Sequence, residues 1–194
     1  MQLSLAGSRT AIATLVLAGL ATGCDSPAAP LLPPPSDANF TLRTDRAAAS
    51  EAQLFATIRA VTAKYHNVEA AIAAGYVNDE FGCVSDPTLG AMGVHYINFD
   101  IDADPSIDPL TPELLVYEPG KDGKLKLVAL EYEVFQADWY GAGNTQPPSL
   151  FGEEFEAVDF PGLPPLFALH VWVWRNNKAG MFADWNARVS CDRG

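Results

Sequence analysis

The chain has 194 residues, with 24 acidic and 12 basic side chains and a formal net charge of −12 at pH 7. A surface this acidic repels phosphate backbones and anionic headgroups, so we expect no nucleic-acid partner and no electrostatic adhesion to lipid. The length fits one domain of ordinary size plus a leader segment.

The N-terminus resembles a secretory signal. Arg9 precedes an unbroken apolar run from Ala11 to Leu20. This run is shorter than the ~20 residues that span a bilayer, and it has the length of a signal-peptide core. We therefore predict that residues 1–23 form a signal peptide that is removed on export.

The segment Leu20-Ala21-Thr22-Gly23-Cys24 resembles a bacterial lipobox, in which the cysteine is acylated and becomes the first residue of the mature chain. Ala21 stands where Leu or Val is usual, and the same small residues suit the ordinary signal peptidase. We expect a periplasmic or cell-surface lipoprotein that contacts the membrane through Cys24. The alternative is a secreted chain that begins near Cys24.

A proline-rich stretch follows the cysteine. Asp25 to Asn39 contains five prolines, a composition that favours extended polyproline II and builds no core. In some Gram-negative bacteria an aspartate directly after the lipidated cysteine, as Asp25 is here, would imply retention at the inner membrane. We interpret residues 24–41 as the anchor and tether, and residues 42–194 as one globular domain.

Two cysteines remain for the folded part, Cys83 and Cys191. Export places them in an oxidising compartment, where a disulfide between them is the expected state. Metal-binding thiolates are the weaker interpretation, because neither cysteine has a second one nearby in the sequence.

A helix is predicted over residues 46–74. Its apolar side chains recur at spacings of four and three, as on one stripe of a helix, and Gly75 follows as a terminating residue. The stripe consists of Leu54, Ile58, Val61, Tyr65, Val68 and Ile72. A break near Asn67 is the alternative.

Beyond the helix the apolar period changes to two, which indicates strands. We predict strands over Gly93–Phe99, Glu113–Tyr117, Lys124–Phe135, Leu169–Arg175 and Met181–Trp185. A turn over 119–123 joins the second strand to the third, and a long Gly- and Pro-rich loop over 140–165 follows the third. The predicted fold class is α+β, with one long N-terminal helix packed on an antiparallel sheet of about four or five strands.

Alternation along the third strand places Leu127, Ala129, Glu131, Glu133 and Phe135 on one face. Carboxylates among apolar neighbours are unusual unless they are paired or bound to a metal.

Two of the three histidines, His95 and His170, also lie in predicted strands. If these strands are neighbours, both imidazoles and Glu131 converge on one face, as a ligand set for zinc, iron or copper. Glu133 and His66 are further candidate ligands. The competing interpretation is that the histidines hydrogen-bond to the glutamates without a metal.

Glu131 and Glu133 also suggest a general acid and base. Neighbours on one strand face are about 6.6 Å apart, which lies in the range of inverting glycosidases. The familiar motifs of serine hydrolases, phosphate-binding loops, thiol oxidoreductases and zinc proteases are absent from the sequence.

A calcium site is the alternative metal hypothesis. The spacing of Asp100, Asp102 and Asp104, with Asp108 beyond them, resembles the start of an EF-hand loop. Pro105 stands where the loop requires glycine, so a solvated acidic turn competes with this interpretation.

Several aromatic residues offer walls for a sugar or another small ligand, although strand aromatics are commonly plain core. They are Trp139, Tyr140, Trp172, Trp174 and Trp185.

Four motifs resemble a family of uncharacterised exported bacterial proteins. They are Gly-Ala-Met-Gly-Val-His-Tyr-Ile-Asn at 90–98, Leu-Val-Ala-Leu-Glu-Tyr at 127–132, His-Val-Trp at 170–172 and Trp-Asn-Ala-Arg-Val-Ser-Cys at 185–191. The segment Pro-Glu-Leu-Leu-Val-Tyr at 112–117 belongs to the same pattern. The resemblance covers about residues 60–194, implies one intact domain, and carries no activity.

We therefore expect an exported lipoprotein whose domain binds a metal ion or small ligand on one sheet face. Two alternatives remain open: a non-catalytic structural or interaction domain without metal, and a metal-dependent periplasmic enzyme.

Overall fold

A computed structural model describes residues 37–192, with side chains from residue 47 onward. The signal peptide, Cys24 and most of the tether lie outside the described residues, so those assignments stay predictions. No helix among residues 37–192 combines the length and apolarity needed to cross a membrane.

The N-terminal helical region is interrupted. Helix α1 spans Asp37–Thr62, a 3-10 helix spans Ala63–His66, and α2 spans Val68–Ala73. The break occurs at Asn67, whose side-chain oxygen accepts from the backbone N–H of Glu69 at 3.2 Å and caps α2. Gly75 follows α2 with a φ of +96°, a conformation that favours glycine at the end of a helix. The single helix over 46–74 was therefore wrong, and the break near Asn67 is confirmed.

The buried side of the helical region differs from the predicted stripe. Phe55, Ile58 and Tyr65 are buried in one cluster with residues of the sheet. Val61 and Ile72, which the stripe placed inside, are 37% and 45% exposed. The 3-10 turn and the break at Asn67 interrupt the regular period, so the continuous stripe does not hold through Ile72.

The sheet is antiparallel, curled and six-stranded, in the order β1-β2-β3-β4-β8-β7. Its strands are β1 (Val77–Asp86), β2 (Gly90–Ile97), β3 (Leu114–Pro119), β4 (Leu125–Phe135), β7 (Glu156–Val158) and β8 (Leu166–Val171). A separate small hairpin pairs β5 (Ser149–Leu150) with β6 (Glu153–Glu154), and short helices α3 (Phe99–Asp102) and α4 (Gln136–Gly141) follow β2 and β4.

The predicted count of four or five strands was too low. Strand β1 went unpredicted because its sequence lacks apolar alternation, and β7 is only three residues long. The segment Met181–Trp185 forms turns and coil instead of the predicted strand.

A β-bulge in β4 places Leu127 on the face of the sheet opposite to the predicted one. Val116 pairs with Ala129 and Tyr117 pairs with Leu127, which leaves Val128 as an extra residue. The extra residue shifts the alternation, so Leu127 joins the core cluster instead of the face that carries Glu131.

The core lies on the face of the sheet opposite Glu131. It includes Leu115, Tyr117, Leu127, Leu130, Tyr132, Val134, Phe167, Leu169 and Val171. The hydroxyls of Tyr117 and Tyr132 donate to the carbonyls of Tyr65 and Pro109 at 2.8 Å, so the polar ends of these buried side chains are satisfied.

The predicted disulfide is confirmed. Cys83 and Cys191 are bonded across a sequence separation of 108 residues. The bond joins β1 to the C-terminal segment, where Val189 and the disulfide sulfur pack beside Trp172 in a second, smaller apolar cluster.

Candidate metal centre

Three strands bring two histidines and a glutamate onto one face of the sheet. Glu131 of β4 and His170 of β8 are directly paired across the ladder. Ile97 of β2 pairs with Leu114 of β3, which in turn pairs with Glu131, so Ile97 lies in the same row. His95 precedes Ile97 by two residues and therefore lies on the same face, beside that row.

The three side chains meet around the carboxyl of Glu131. Its Oε2 lies 3.4 Å from His95 Nε2, and its Oε1 lies 3.5 Å from His170 Nδ1. The imidazole rings are perpendicular, with centroids 5.5 Å apart. One potential ligand atom from each residue lies within 4.8 Å of the other two, so the group could hold a metal ion.

These separations are long for hydrogen bonds, since N–H···O distances are usually 2.7–3.2 Å. A tetrahedral zinc site with bonds of about 2.0–2.1 Å would place its donor atoms about 3.3–3.4 Å apart. The observed separations of 3.4 and 3.5 Å are close to this donor spacing, although each involves a different oxygen of Glu131.

Burial sets the charge of all three side chains, which are 2–9% exposed. It lowers the pKa of His95 to about 4, and together with nearby His95 it lowers the pKa of His170 well below the usual value. Burial, reinforced by the charges of Asp184 and Asp79, raises the pKa of Glu131 to about 8. In the absence of a metal, both imidazoles are therefore neutral near pH 7, which is the form that coordinates metals.

A local irregularity in β1 supplies a second carboxylate to His95. Asn78 pairs with Tyr96 and Cys83 pairs with Val94, so four residues of β1, 79–82, stand opposite His95 alone. Glu80 within this excursion has a φ of +67°. The excursion places Asp79 Oδ2 at 3.8 Å from His95 Nδ1, the ring nitrogen that faces away from Glu131.

The three side chains form part of the lining of a cavity of about 430 Å³. This volume is in the range of sites for small molecules. Its walls are mainly apolar and come from β1, β2, β4, β8 and the segment around β7, including Phe81, Ile97, Phe135, Phe160 and Leu166. The predicted loop over 140–165 thus contributes to the wall.

A set of carboxyl groups extends from the cavity into the interior. Glu133 faces the cavity beside Glu131, and its carboxyl is hydrogen-bonded to that of Asp102. Glu113 Oε2 accepts from the backbone N–H of Glu133 at 3.3 Å. Burial raises the pKa of Glu113 to about 8, that of Asp102 to about 6, and that of Glu133 well above its usual value.

The other two candidate ligands, His66 and Glu133, are not members of this group. His66 is exposed and packs edge-on against Trp174, with ring centroids 4.4 Å apart. Glu133 is close to the three residues but is not among the donors within 4.8 Å. Glu131 and Glu133 share the cavity face, so their acid and base roles stay a prediction.

The aspartates of the calcium hypothesis do not come together as a cluster of ligands among the described residues. Asp102 is buried against Glu133, whereas Asp100, Asp104 and Asp108 are exposed. Asp104 and Asp108 each accept a backbone N–H two residues ahead, as in ordinary acidic turns.

Of the five aromatic residues proposed as ligand walls, Trp185 lines the cavity. Trp172 is buried in the smaller apolar cluster, and Trp174 packs against the main core. The indole N–H of Trp139 donates to the carbonyl of Gln146 at 2.7 Å, within its own loop.

Sequence reasoning missed Asp79 and Asp184, which also line the cavity. Asp79 lies in an irregular strand and Asp184 in coil, so no periodicity marks either residue. The adjacent Asn78-Asp79 pair is a turn signal within the β1 sequence, and it was the available indication of the excursion.

Comparisons with protein-family profiles, with curated proteins and with solved structures found no match for this chain.

Proposed function

We propose that this protein binds a transition metal ion through His95, Glu131 and His170. The observation that carries the proposal is the meeting of two neutral imidazoles and one carboxyl, all buried, within 4.8 Å of one another. Two histidines and a carboxylate are a known ligand set for zinc and for non-haem iron, and imidazole also suits copper.

The proposed role is that of a binding protein whose metal takes part in holding a small ligand. Three protein donors leave a coordination position free for an exogenous group. The cavity that the same residues line offers about 430 Å³ for the rest of the ligand.

We propose further that the domain works outside the cytoplasm, anchored through Cys24. The apolar run before Cys24 and the proline-rich stretch after it support this location, and the Cys83–Cys191 disulfide fits an oxidising compartment. The predicted packing of the N-terminal helix on the sheet belongs to the same proposal, supported by buried Phe55 and Ile58.

The test of metal binding is elemental analysis of protein purified without a histidine tag. We expect about one equivalent of zinc, iron or copper per chain, and a lower melting temperature after chelation. The Glu131→Gln variant should lose the metal, whereas the control His66→Ala, which removes a histidine outside the group, should retain it.

The proposal would be refuted if the protein contained less than about 0.1 equivalent of metal per chain and a chelator left its melting temperature unchanged. The histidines would then serve a structural or interaction domain through internal hydrogen bonds. Mass spectrometry of the mature N-terminus tests the anchor separately, because an unmodified terminus at or near Cys24 contradicts lipidation.

A metal-dependent enzyme is the second candidate, favoured by the direct opening of the cavity onto the three donors. A metal that polarises a bound carbonyl can promote hydrolysis. We would measure turnover of apolar aryl esters by the zinc-loaded protein. Rates no higher than those of Glu131→Gln would exclude this activity for those substrates.

A further inference from the structure

The lining of the cavity has an unusual chemical composition. Thirteen of its twenty residues are apolar, five carry carboxyl groups and two carry imidazoles. No lysine, arginine, hydroxyl or amide side chain lies among them. An anionic ligand would therefore meet five acidic groups without a basic side chain to balance its charge.

Aromatic rings form an exposed rim to this cavity. Phe81 is 45% exposed and Phe99 is 61% exposed, although both line the cavity wall. Phe81 packs edge-to-face with Phe160 at 5.0 Å, which connects the β1 excursion to the segment after β7. Exposed apolar side chains around a concave site are typical of a surface that receives an apolar partner.

Four of the five lining carboxyl groups lie outside the metal group of His95, Glu131 and His170, and two of these four, Asp184 and Glu156, lie close to each other. Asp184 and Glu156 interact electrostatically with each other, and Asp184 also acts on Glu131. Neither has an ion-pair partner within the described range 37–192. His170, which is 2% exposed, also lines this cavity, and its buried Nε2 has no hydrogen-bond partner among the described residues.

We infer that the ligand of this cavity is an apolar molecule that carries a protonated amine. Its body contacts Phe81, Phe99 and Phe160, and its ammonium group lies against Asp184 and Glu156. Carboxylates supply the opposite charge, while aromatic faces attract a cation through their quadrupoles. This inference rests on the proposed function, because it takes the cavity beside the metal group as the ligand site.

A metal ion does not remove the need for a cationic ligand. A divalent ion bound by ionised Glu131 keeps one positive charge, which Asp79 beside His95 can offset, so Asp184 and Glu156 still have no counter-charge from the lining. These two side chains are not part of the group of donors within 4.8 Å, so the metal and the ammonium would occupy different places in the cavity.

The test compares three probes of similar shape: 2-phenylethylamine, 2-phenylethanol and 3-phenylpropanoate. Calorimetric titration at pH 7 should show the amine binding at least about tenfold more tightly than the neutral alcohol, and the carboxylate binding most weakly. Equal affinities of amine and alcohol, or tightest binding of the carboxylate, would overturn the inference.

Two variants connect the charge selectivity to the named residues. Asp184→Asn and Glu156→Gln should each weaken amine binding about tenfold and leave alcohol binding unchanged. The matched control Glu154→Gln removes an exposed carboxylate outside the lining and should change neither affinity. Circular dichroism of each variant verifies that the fold is retained.

Titrations of both zinc-loaded and chelator-treated protein separate this inference from the metal proposal. Stoichiometric zinc without preference for the amine would refute the ligand class and leave the metal site intact. Preference for the amine in a chain that binds no zinc would refute the metal site and leave the ligand class intact.

Discussion

The two faces of the same sheet satisfy their polar groups in opposite ways. On the core face, the hydroxyls of Tyr117 and Tyr132 donate to backbone carbonyls, and their neighbours are apolar. On the cavity face, His95, Glu131 and His170 are also buried, but their nearest N···O separations exceed the usual hydrogen-bond range.

This difference distinguishes the face that stabilises the fold from the face on which we propose ligand binding. Buried ionisable groups lower the stability of a domain unless a partner compensates their loss of hydration. Because β4 alternates Leu130, Glu131, Tyr132 and Glu133 between the faces, the same strand serves both. Variants of adjacent residues can therefore separate stability from binding.

Removal of the disulfide should have the largest effect, and it tests whether β1, which contributes to the cavity wall, depends on the covalent bond to the C-terminal segment. Replacing both Cys83 and Cys191 with serine frees a loop of 108 residues, so the free energy of unfolding should fall by about 4 kcal/mol. Urea denaturation measures the loss. Hydrogen exchange should increase mainly in β1 and the C-terminal segment; a loss below about 1 kcal/mol would show that packing alone holds them.

Leu130→Ala tests the core face. Leu130 is fully buried, and truncation should lower the free energy of unfolding by about 3 kcal/mol through lost contacts and a residual cavity. Zinc affinity of the folded variant should be unchanged, since the side chain lies on the opposite face from Glu131. The control Leu89→Ala, at a residue 52% exposed, should cost less than about 0.5 kcal/mol.

Glu131→Gln is the matching test on the cavity face. Because burial keeps Glu131 protonated near neutral pH, the amide preserves its charge state and its size. Zinc affinity should fall at least about 100-fold, with the free energy of unfolding of the metal-free protein changed by less than about 1 kcal/mol. Loss of zinc affinity in Leu130→Ala as well would break the separation of the two faces.

Alternation along the strands was enough to predict which side chains of β2, β4 and β8 share a face with one another within each strand, because a period of two fixes the face of each residue. That the three strands are neighbours was a condition that the local pattern could not supply. The predicted face was wrong at Leu127, because the bulge adds an extra residue at Val128 that the local sequence pattern does not indicate. Alternation also missed β1, whose excursion over 79–82 is held by turn geometry and by pairing with β2, both of which depend on the folded sheet.

Glu113, a carboxyl buried behind the cavity, should make the free energy of unfolding depend on pH. Burial raises its pKa from the usual 4.5 to about 8, so the folded state binds one proton more than the unfolded state between these values. Its stabilising contribution is complete below pH 4.5 and is lost as the pH rises through 8.

Glu113→Gln retains an oxygen that can accept from Glu133 N–H but cannot ionise. The fall in unfolding free energy between pH 5 and pH 8 should therefore be smaller than in the wild type by about 3 kcal/mol. Chemical denaturation across this pH range measures it. The exposed Glu69→Gln serves as the control, and identical pH profiles for Glu113→Gln and the wild type would exclude a raised pKa at Glu113.

Asp79→Asn gives the smallest expected effect and asks whether the irregular strand acts on the metal group. Asp79 Oδ2 lies 3.8 Å from His95 Nδ1, so its charge can orient the imidazole and strengthen its basicity towards a metal at Nε2. Loss of this charge should weaken zinc binding about tenfold in competition with a chromophoric chelator.

The asparagine variant distinguishes charge from shape. Asp79 Oδ1 accepts from the backbone N–H of Phe81 at 3.0 Å, and the amide oxygen of asparagine can keep that bond and the excursion. The control Glu80→Gln removes the adjacent carboxylate, which lies outside the cavity lining. If both variants bind zinc as the wild type does, the excursion serves to place Phe81 at the rim and has no role at the metal.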